Sequence, residues 1–299
     1  MENFALIFVA IFIGYIINKQ DVFSKDTPII LNQFILYISL PAMALLQIPK
    51  LSFSFEVLIP IIIAWIVMGV SALVIFYISK ILKFSKEVTG SLMLVGVLGN
   101  TSFVGIPVIQ AYFGDSALPY ILMYDQLGSF IMLSTYGTFI SVYYSSAQDV
   151  NVRAIAIKIL TFPPFLSLLV ALFFIGTTFH PVIISVLSSL ASTIVPLALV
   201  AVGLQLRFKL PKEDMKPFFS VLSVKLILAP LLAIFISMIF SWESKATLVS
   251  IMEAGMGPMI TAGAIASMAG LAPRLSSAIV GYGTLLSFFT TWVLFKFIV

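Results

Sequence analysis

The sequence predicts an all-α membrane protein. Ten transmembrane helices form a 5+5 inverted repeat, and one helix in each half is broken in mid-membrane. Three observations predict this. Hydrophobic residues make up 61% of the 299-residue chain and charged residues 9%, where a soluble domain carries roughly a quarter, so lipid is the solvent for most of the surface. Lysine and arginine alternate in density from one interhelical connection to the next. Two stretches about half a chain apart, 88–114 and 246–270, hold nine of the 17 glycines, and each has a proline near its centre, Pro107 and Pro258.

A bilayer span takes about 20 mostly apolar residues. Ten segments qualify, at roughly 3–18, 28–48, 55–79, 88–112, 117–144, 154–177, 181–205, 217–241, 246–270 and 274–298. The first lacks a basic leader and a small-residue cleavage site, so it reads as a retained span rather than a signal peptide. The longest connections are 145–153 and 207–216, too short for a soluble domain. The chain is therefore expected to be one integral membrane domain, with a first repeat over 1–145 and a second over 154–299.

Orientation follows from the basic residues at span ends. Lys19, Lys25, Lys80, Lys83, Lys86, Arg153, Lys158, Arg207, Lys209, Lys212, Lys216 and Arg274 fall on one side; Lys50, Lys245 and Lys296 fall on the other. This asymmetry predicts a multi-pass protein of the cytoplasmic (plasma) membrane with both termini outside. It also supports ten spans, because a missed helix would scramble the alternation. The halves share landmarks: Pro41 and Pro196 are 155 residues apart, Pro107 and Pro258 are 151 apart, and Gly128 and Gly283 are 155 apart. Five is odd, so the second half enters from the opposite face, an architecture that exposes one site to either side in turn.

Composition excludes several chemistries. No basic run is interleaved with aromatics, so no nucleic-acid partner is expected despite the net charge of +4. The absence of cysteine removes disulfides, thiolate metal sites and cysteine nucleophiles. The single histidine, His180, removes any multi-histidine metal site. No cofactor is expected.

Candidate chemistry lies in the broken spans. In lipid, a freed backbone group finds no water, so such a span is tolerated only where protein or a watery cavity receives it. The first reads Gly99-Asn100-Thr101-Ser102-Phe103-Val104-Gly105-Ile106-Pro107, compact donors and acceptors on yielding backbone. The second reads Glu253-Ala254-Gly255-Met256-Gly257-Pro258. Half-helices restarting near Pro107 and Pro258 would aim their N-terminal N–H groups at the break, a favourable place for an anion. Asn100, Thr101, Gly105, Pro107, Gly257 and Pro258 are accordingly the candidate substrate-binding positions. The competing structural reading is an ordinary proline kink with glycines allowing close helix contact.

Asp125, Lys225 and Glu253 fall inside spans 5, 8 and 9, where an ionisable group is costly unless paired or wetted. Glu253, with Asp125 and the adjacent Gln126, is a candidate for ion coupling, either as a proton carrier or at a sodium position near Glu253 and Ser102. The alternatives are a structural pair of Lys225 with Glu253 or Asp125, and a Lys225 that snorkels to the inner face. Asn32, Gln33 and Gln205 read as interhelical hydrogen-bonding residues, while Phe23, Phe55, Tyr143, Tyr144, Trp242 and His180 read as interfacial residues.

The segment Asn100-Thr101 to Gly105-Ile106-Pro107, the proline-broken span 9 and the two halves together resemble the auxin efflux carrier family, the plant PIN carriers and bacterial organic-acid permeases, over the whole chain. The resemblance implies that spans 4 and 9 cross at their breaks. It implies that spans 1, 2, 6 and 7 form a scaffold that makes a homodimer, and that the other six form a moving transport domain. Glu253-Ala254-Gly255-Met256 departs from the plant carriers and is similar to the Glu-x-Gly-Met segment of the bile acid sodium symporters, which share the fold and use that glutamate at a sodium site; the departure leaves three coupling modes open, sodium, proton or none.

The expected function is a secondary transporter for a small organic anion such as a carboxylate, not an enzyme. A sodium-coupled organic anion symporter is the alternative, and a channel would need a continuous polar pore that the sequence lacks. The remote rival is an intramembrane aspartyl protease, suggested by Tyr124-Asp125 and Phe113-Gly114-Asp115, but its motif order is reversed and a glycine is replaced by Tyr112.

Overall fold

The computed structural model describes residues 2–20, 22–51, 54–145, 153, 157, 160–206 and 214–299. Lys158, Arg207, Lys209 and Lys212 of the charge alternation lie outside the described residues, as does most of the 145–153 connection. Among the described residues the chain is helical apart from short connections and one isolated backbone bridge.

The first half contains α1 (Glu2–Lys19), α2 (Thr27–Lys50) and α3 (Phe55–Ile81). Span 4 is interrupted: α4 (Lys86–Val95) stops at Gly96, and the chain re-enters helix as α5 (Thr101–Phe113). A long helix, α6, follows over 115–144. The second half contains α7 (Pro163–Leu172), α8 (Pro181–Gln205) and α9 (Met215–Ile239). Span 9 is interrupted likewise, into α10 (Lys245–Ala254) and α11 (Ile260–Met268), before α12 (Pro273–Ile298). Five helices, α2, α3, α8, α9 and α12, are each long and apolar enough to cross a membrane alone.

Prolines shape these helices without ending them. Wide π turns at Ile35–Ser39, Thr101–Gly105 and Val224–Leu228 are each followed two residues later by a proline: Pro41, Pro107 and Pro230. A proline has no N–H to give and its ring crowds the carbonyl one turn back, and the helix absorbs both by widening. Pro107 is therefore not at the break of span 4, as its sequence position suggests. It lies inside the restarted helix, whose first residue is Thr101.

The two broken spans are built alike. Each is preceded by a turn with a non-glycine residue at positive φ, Lys83 at 53° and Ser241 at 52°. The Phe84 amide donates to the Ser79 carbonyl at 3.0 Å, and the Trp242 amide to the Ser237 carbonyl at 2.9 Å. Ser85 and Ser244 then start the half-helices, and Gly96 and Gly255 end them. Both pairs are 159 residues apart, which replaces the 151-residue register expected from Pro107 and Pro258.

Side chains bury into two cores. One joins α3, α4, α9, α11 and α12 around Ile63, Val67, Leu94, Val221 and Ile279. The other joins α1, α2, α7 and α8 around Ile7, Ile35, Leu168, Leu199 and Val202, and takes in Val104, Ile106 and Ile109 of α5. Within the second core, α1 and α8 approach so closely that a Cβ on Gly14 would stand 2.3 Å from the Val200 carbonyl oxygen, and one on Gly203 would stand 2.2 Å from that of Ile11. Span 4 thus changes core at its break, α4 belonging to the first and α5 to the second.

Candidate functional site

The two breaks meet. The Asn100 amide donates to the Gly257 carbonyl at 2.8 Å and the Met259 amide to the Leu98 carbonyl at 2.9 Å, a two-bond antiparallel bridge centred on Gly99 and Pro258. Four backbone groups released by the breaks are satisfied by one another where no water is at hand. Gly99 and Pro258 form the pair that exchanges no hydrogen bond, so the proline costs the bridge nothing. The pairing sets Asn100 against Gly257 and Leu98 against Met259, and Asn100 and Met259 are each the residue before a half-helix.

Asn100 caps the restart of span 4, its side-chain oxygen accepting from the Phe103 amide at 3.2 Å. Its Nδ2 is buried and has no hydrogen-bond partner among the described residues. Asn100 lines a cavity of about 160 Å³ together with Thr101, Ser102, Asp125 and Gln126. Asp125 is 3% exposed and organises one wall. Its Oδ1 accepts from Thr101 Oγ1 and Ser102 Oγ, both at 2.5 Å, and its Oδ2 accepts from Gln126 Nε2 at 2.7 Å. The Gln126 Oε1 and the hydroxyl of Ser134, a residue that also lines the cavity, are buried without hydrogen-bond partners among the described residues. Thr261, in the first turn of α11, lines the opposite wall, so both restarted helices begin at this cavity.

The remaining candidates lie elsewhere around the junction. Gly257 supplies a bridge carbonyl, and Pro258 packs against Gly283, where an added Cβ would come within 2.5 Å of its ring. Gly105 faces Glu253: a Cβ there would meet its carboxylate oxygens at 2.6 and 2.8 Å. Glu253 is 0% exposed, and neither carboxylate oxygen has a hydrogen-bond partner among the described residues. Ser102 is engaged by Asp125 in the cavity wall, while Glu253 lies against Gly105. Lys225 does not snorkel. It is 3% exposed on the wide turn of α9, and its ammonium donates to the Ala254 carbonyl at 3.4 Å. Asp115 is exposed and accepts from Gln110, whereas Asp125 is buried ten residues further along α6, about 15 Å in helical rise, so the two aspartates do not form a dyad.

Thr261, Ser134, Phe130 and Phe162 line the cavity without having been singled out in the sequence. Ser134 was within reach of it, since Gln126, Phe130 and Ser134 recur at four-residue spacing along one face of α6. Phe162 precedes α7 and Thr261 lies on α11, and only the packing of these helices brings them here. Phe130 and Phe162 stack with centroids 4.0 Å apart and close one side of the cavity.

A family profile described as membrane transport protein matches residues 1–295. An uncharacterized transporter of Methanocaldococcus jannaschii is 28% identical over 215 residues, 69% of this chain and 68% of that protein. An uncharacterized transporter of Methanothermobacter thermautotrophicus is 25% identical over 293 residues, 96% of this chain and 94% of that protein. With its apolar helices and a match over nearly its full length, the chain is a multi-pass membrane protein and belongs to the membrane transport protein family, that of the auxin efflux carriers.

Proposed function

We propose that this protein is a secondary transporter that carries a small organic anion, such as a carboxylate, across the cytoplasmic membrane by alternating access. The observation that carries the reading is the cavity at the meeting point of the two breaks, lined by the first turns of α5 and α11 and by Asn100, whose Nδ2 has no hydrogen-bond partner among the described residues. A half-helix N-terminus offers a carboxylate N–H groups and a partial positive charge. Both carboxyl oxygens of Asp125 are already engaged, by three donors in all. A volume near 160 Å³ is below the roughly 300–1,000 Å³ of sites for drug-sized ligands, which favours a substrate of few heavy atoms.

The matched turns 158 residues apart, the half-helices 159 apart and the bridge at Gly99 and Pro258 support a 5+5 inverted repeat whose broken helices cross. The packing of α1, α2, α7 and α8 into one core, on which α5 and parts of α6 and α10 seat, supports a scaffold against which the rest moves, and its outer face is where a homodimer would form. A second cavity of about 320 Å³, lined by Asn18, Lys25, Gln205 and Ile260, adjoins the start of α11 on the lysine-rich side. In this reading it is the inner vestibule. An inside-negative potential favours anion exit by about 2.3 kcal/mol per charge per 100 mV, so export needs no coupling ion.

The deciding measurement is counterflow in proteoliposomes with a panel of short mono- and dicarboxylates. Saturable flux with trans-stimulation is expected for a carrier. Non-saturating flux, or none across the panel, overturns the reading. The sodium-symporter alternative draws on the buried carboxylate of Glu253; it requires sodium- or pH-dependent uptake that Glu253→Gln abolishes while folding stays intact.

A further inference from the structure

Lys225 is held in a place built for a cation. It hangs from the wide turn Val224–Leu228 of α9 and reaches the C-terminal end of α10, where its ammonium donates to the carbonyl of Ala254, the last residue of that half-helix. Carbonyls at a helix C-terminus carry the negative end of the helix dipole, and unwound carbonyls beside a half-helix end are what coordinate sodium in transporters with broken helices. The side chain of the preceding residue, Glu253, is fully buried, and its carboxyl oxygens have no hydrogen-bond partner among the described residues. The opposite wall is Gly99, where a Cβ would stand 2.8 Å from the ammonium nitrogen. Only a residue without a side chain leaves the ammonium this room, and the same segment leaves the Glu253 carboxylate its room at Gly105.

We propose that the Lys225 ammonium is a tethered cation, occupying the position at the break of span 9 that a dissociable sodium ion would otherwise take. An ammonium is a compact point charge with rotatable donors, so it can replace a monovalent ion beside the carbonyls at a broken helix end. Being covalently attached, it is never released to either side. The break of span 9 thus carries its own cation, and transport draws on no sodium gradient. The inference deepens the transport reading and rests on it only for that last consequence.

The test is thermal unfolding of the purified full chain in choline, sodium and ammonium chloride at equal ionic strength. The wild type is expected to melt at the same temperature in all three. Lys225→Ala is expected to melt lower in choline, with the loss reversed by sodium or ammonium. Lys225→Gln keeps a donor for the Ala254 carbonyl but no charge; it serves if the alanine variant does not fold, and it too should gain a response to small cations. A sodium-specific rise in the wild type overturns the proposal, as does a folded Lys225 variant whose melting is indifferent to the salt. Carboxylates added to the same melts report on the substrate reading separately, so failure of one does not pass for failure of the other.

Discussion

The backbone amide of Asn100 donates to the carbonyl of Gly257 across a 2.8 Å bond, joining two half-chains at the point where each has lost its helix. The same residue caps the restart of span 4 and lines the cavity, and its Nδ2 has no hydrogen-bond partner among the described residues. Its side chain thus has two separable duties, one to the fold and one to a ligand.

Asn100→Ala removes the cap from the Phe103 amide and should cost about 1 kcal/mol of stability. Asn100→Asp keeps the capping oxygen while exchanging the Nδ2 donor for an acceptor, so its melting temperature should stay nearer that of the wild type. Both should lose carboxylate flux. Melting and flux on the same preparations separate the duties, and wild-type flux in Asn100→Asp would refute a ligand role for Nδ2.

Asp125 holds Thr101, Ser102 and Gln126 in the cavity wall. Asp125→Ala strands buried donors and should destabilise by about 1–3 kcal/mol, whereas Asp125→Asn retains an acceptor oxygen and should cost less. The order of the three melting temperatures checks this; an alanine variant as stable as the wild type contradicts it.

Gly105→Ala forces a methyl group against the Glu253 carboxylate and should cost about 1–3 kcal/mol as overpacking. Glu253→Ala removes the obstacle. In the double variant the penalty of Gly105→Ala should largely vanish, a coupling of about 0.5–3 kcal/mol. Additive losses in the double-mutant cycle would show that the two residues do not bear on each other.

Gly14 and Gly203 set the spacing of α1 and α8, each lying against a carbonyl of the other helix. Gly14→Leu should part the helices and lower the melting temperature sharply. Gly69, with no neighbour within 4 Å of its added Cβ, provides the control: Gly69→Ala should be neutral or mildly stabilising, since alanine is the better helix former by about 1 kcal/mol. A Gly14→Leu variant as stable as Gly69→Ala would mean that this contact carries little of the packing.

Much of the site was legible because intramembrane polar residues are expensive and therefore conspicuous. Asn100, Thr101, Asp125 and Gln126 stand out in apolar surroundings, and they share one cavity. Proline was the less faithful guide. Pro107 suggested a break that the backbone places at 96–100, because a missing N–H can be absorbed by a wide turn when neighbouring packing supports the helix. Glu253 and Lys225 were both evident as buried charges, but their neighbours were not.

What the sequence determined by itself is the solvent and the set of elements: apolar runs of fixed length require a bilayer, and two glycine-rich interruptions require a protein partner for their freed backbone. What only the tertiary structure decided is which partner that is. Breaks 159 residues apart satisfy each other through two hydrogen bonds between Leu98–Asn100 and Gly257–Met259. Local residue types say that a backbone group needs a bond, but they do not say where in a folded chain its complement will be found, and that meeting point is what sets Asn100 and Thr261 around one cavity and places Lys225 and Glu253 beside it.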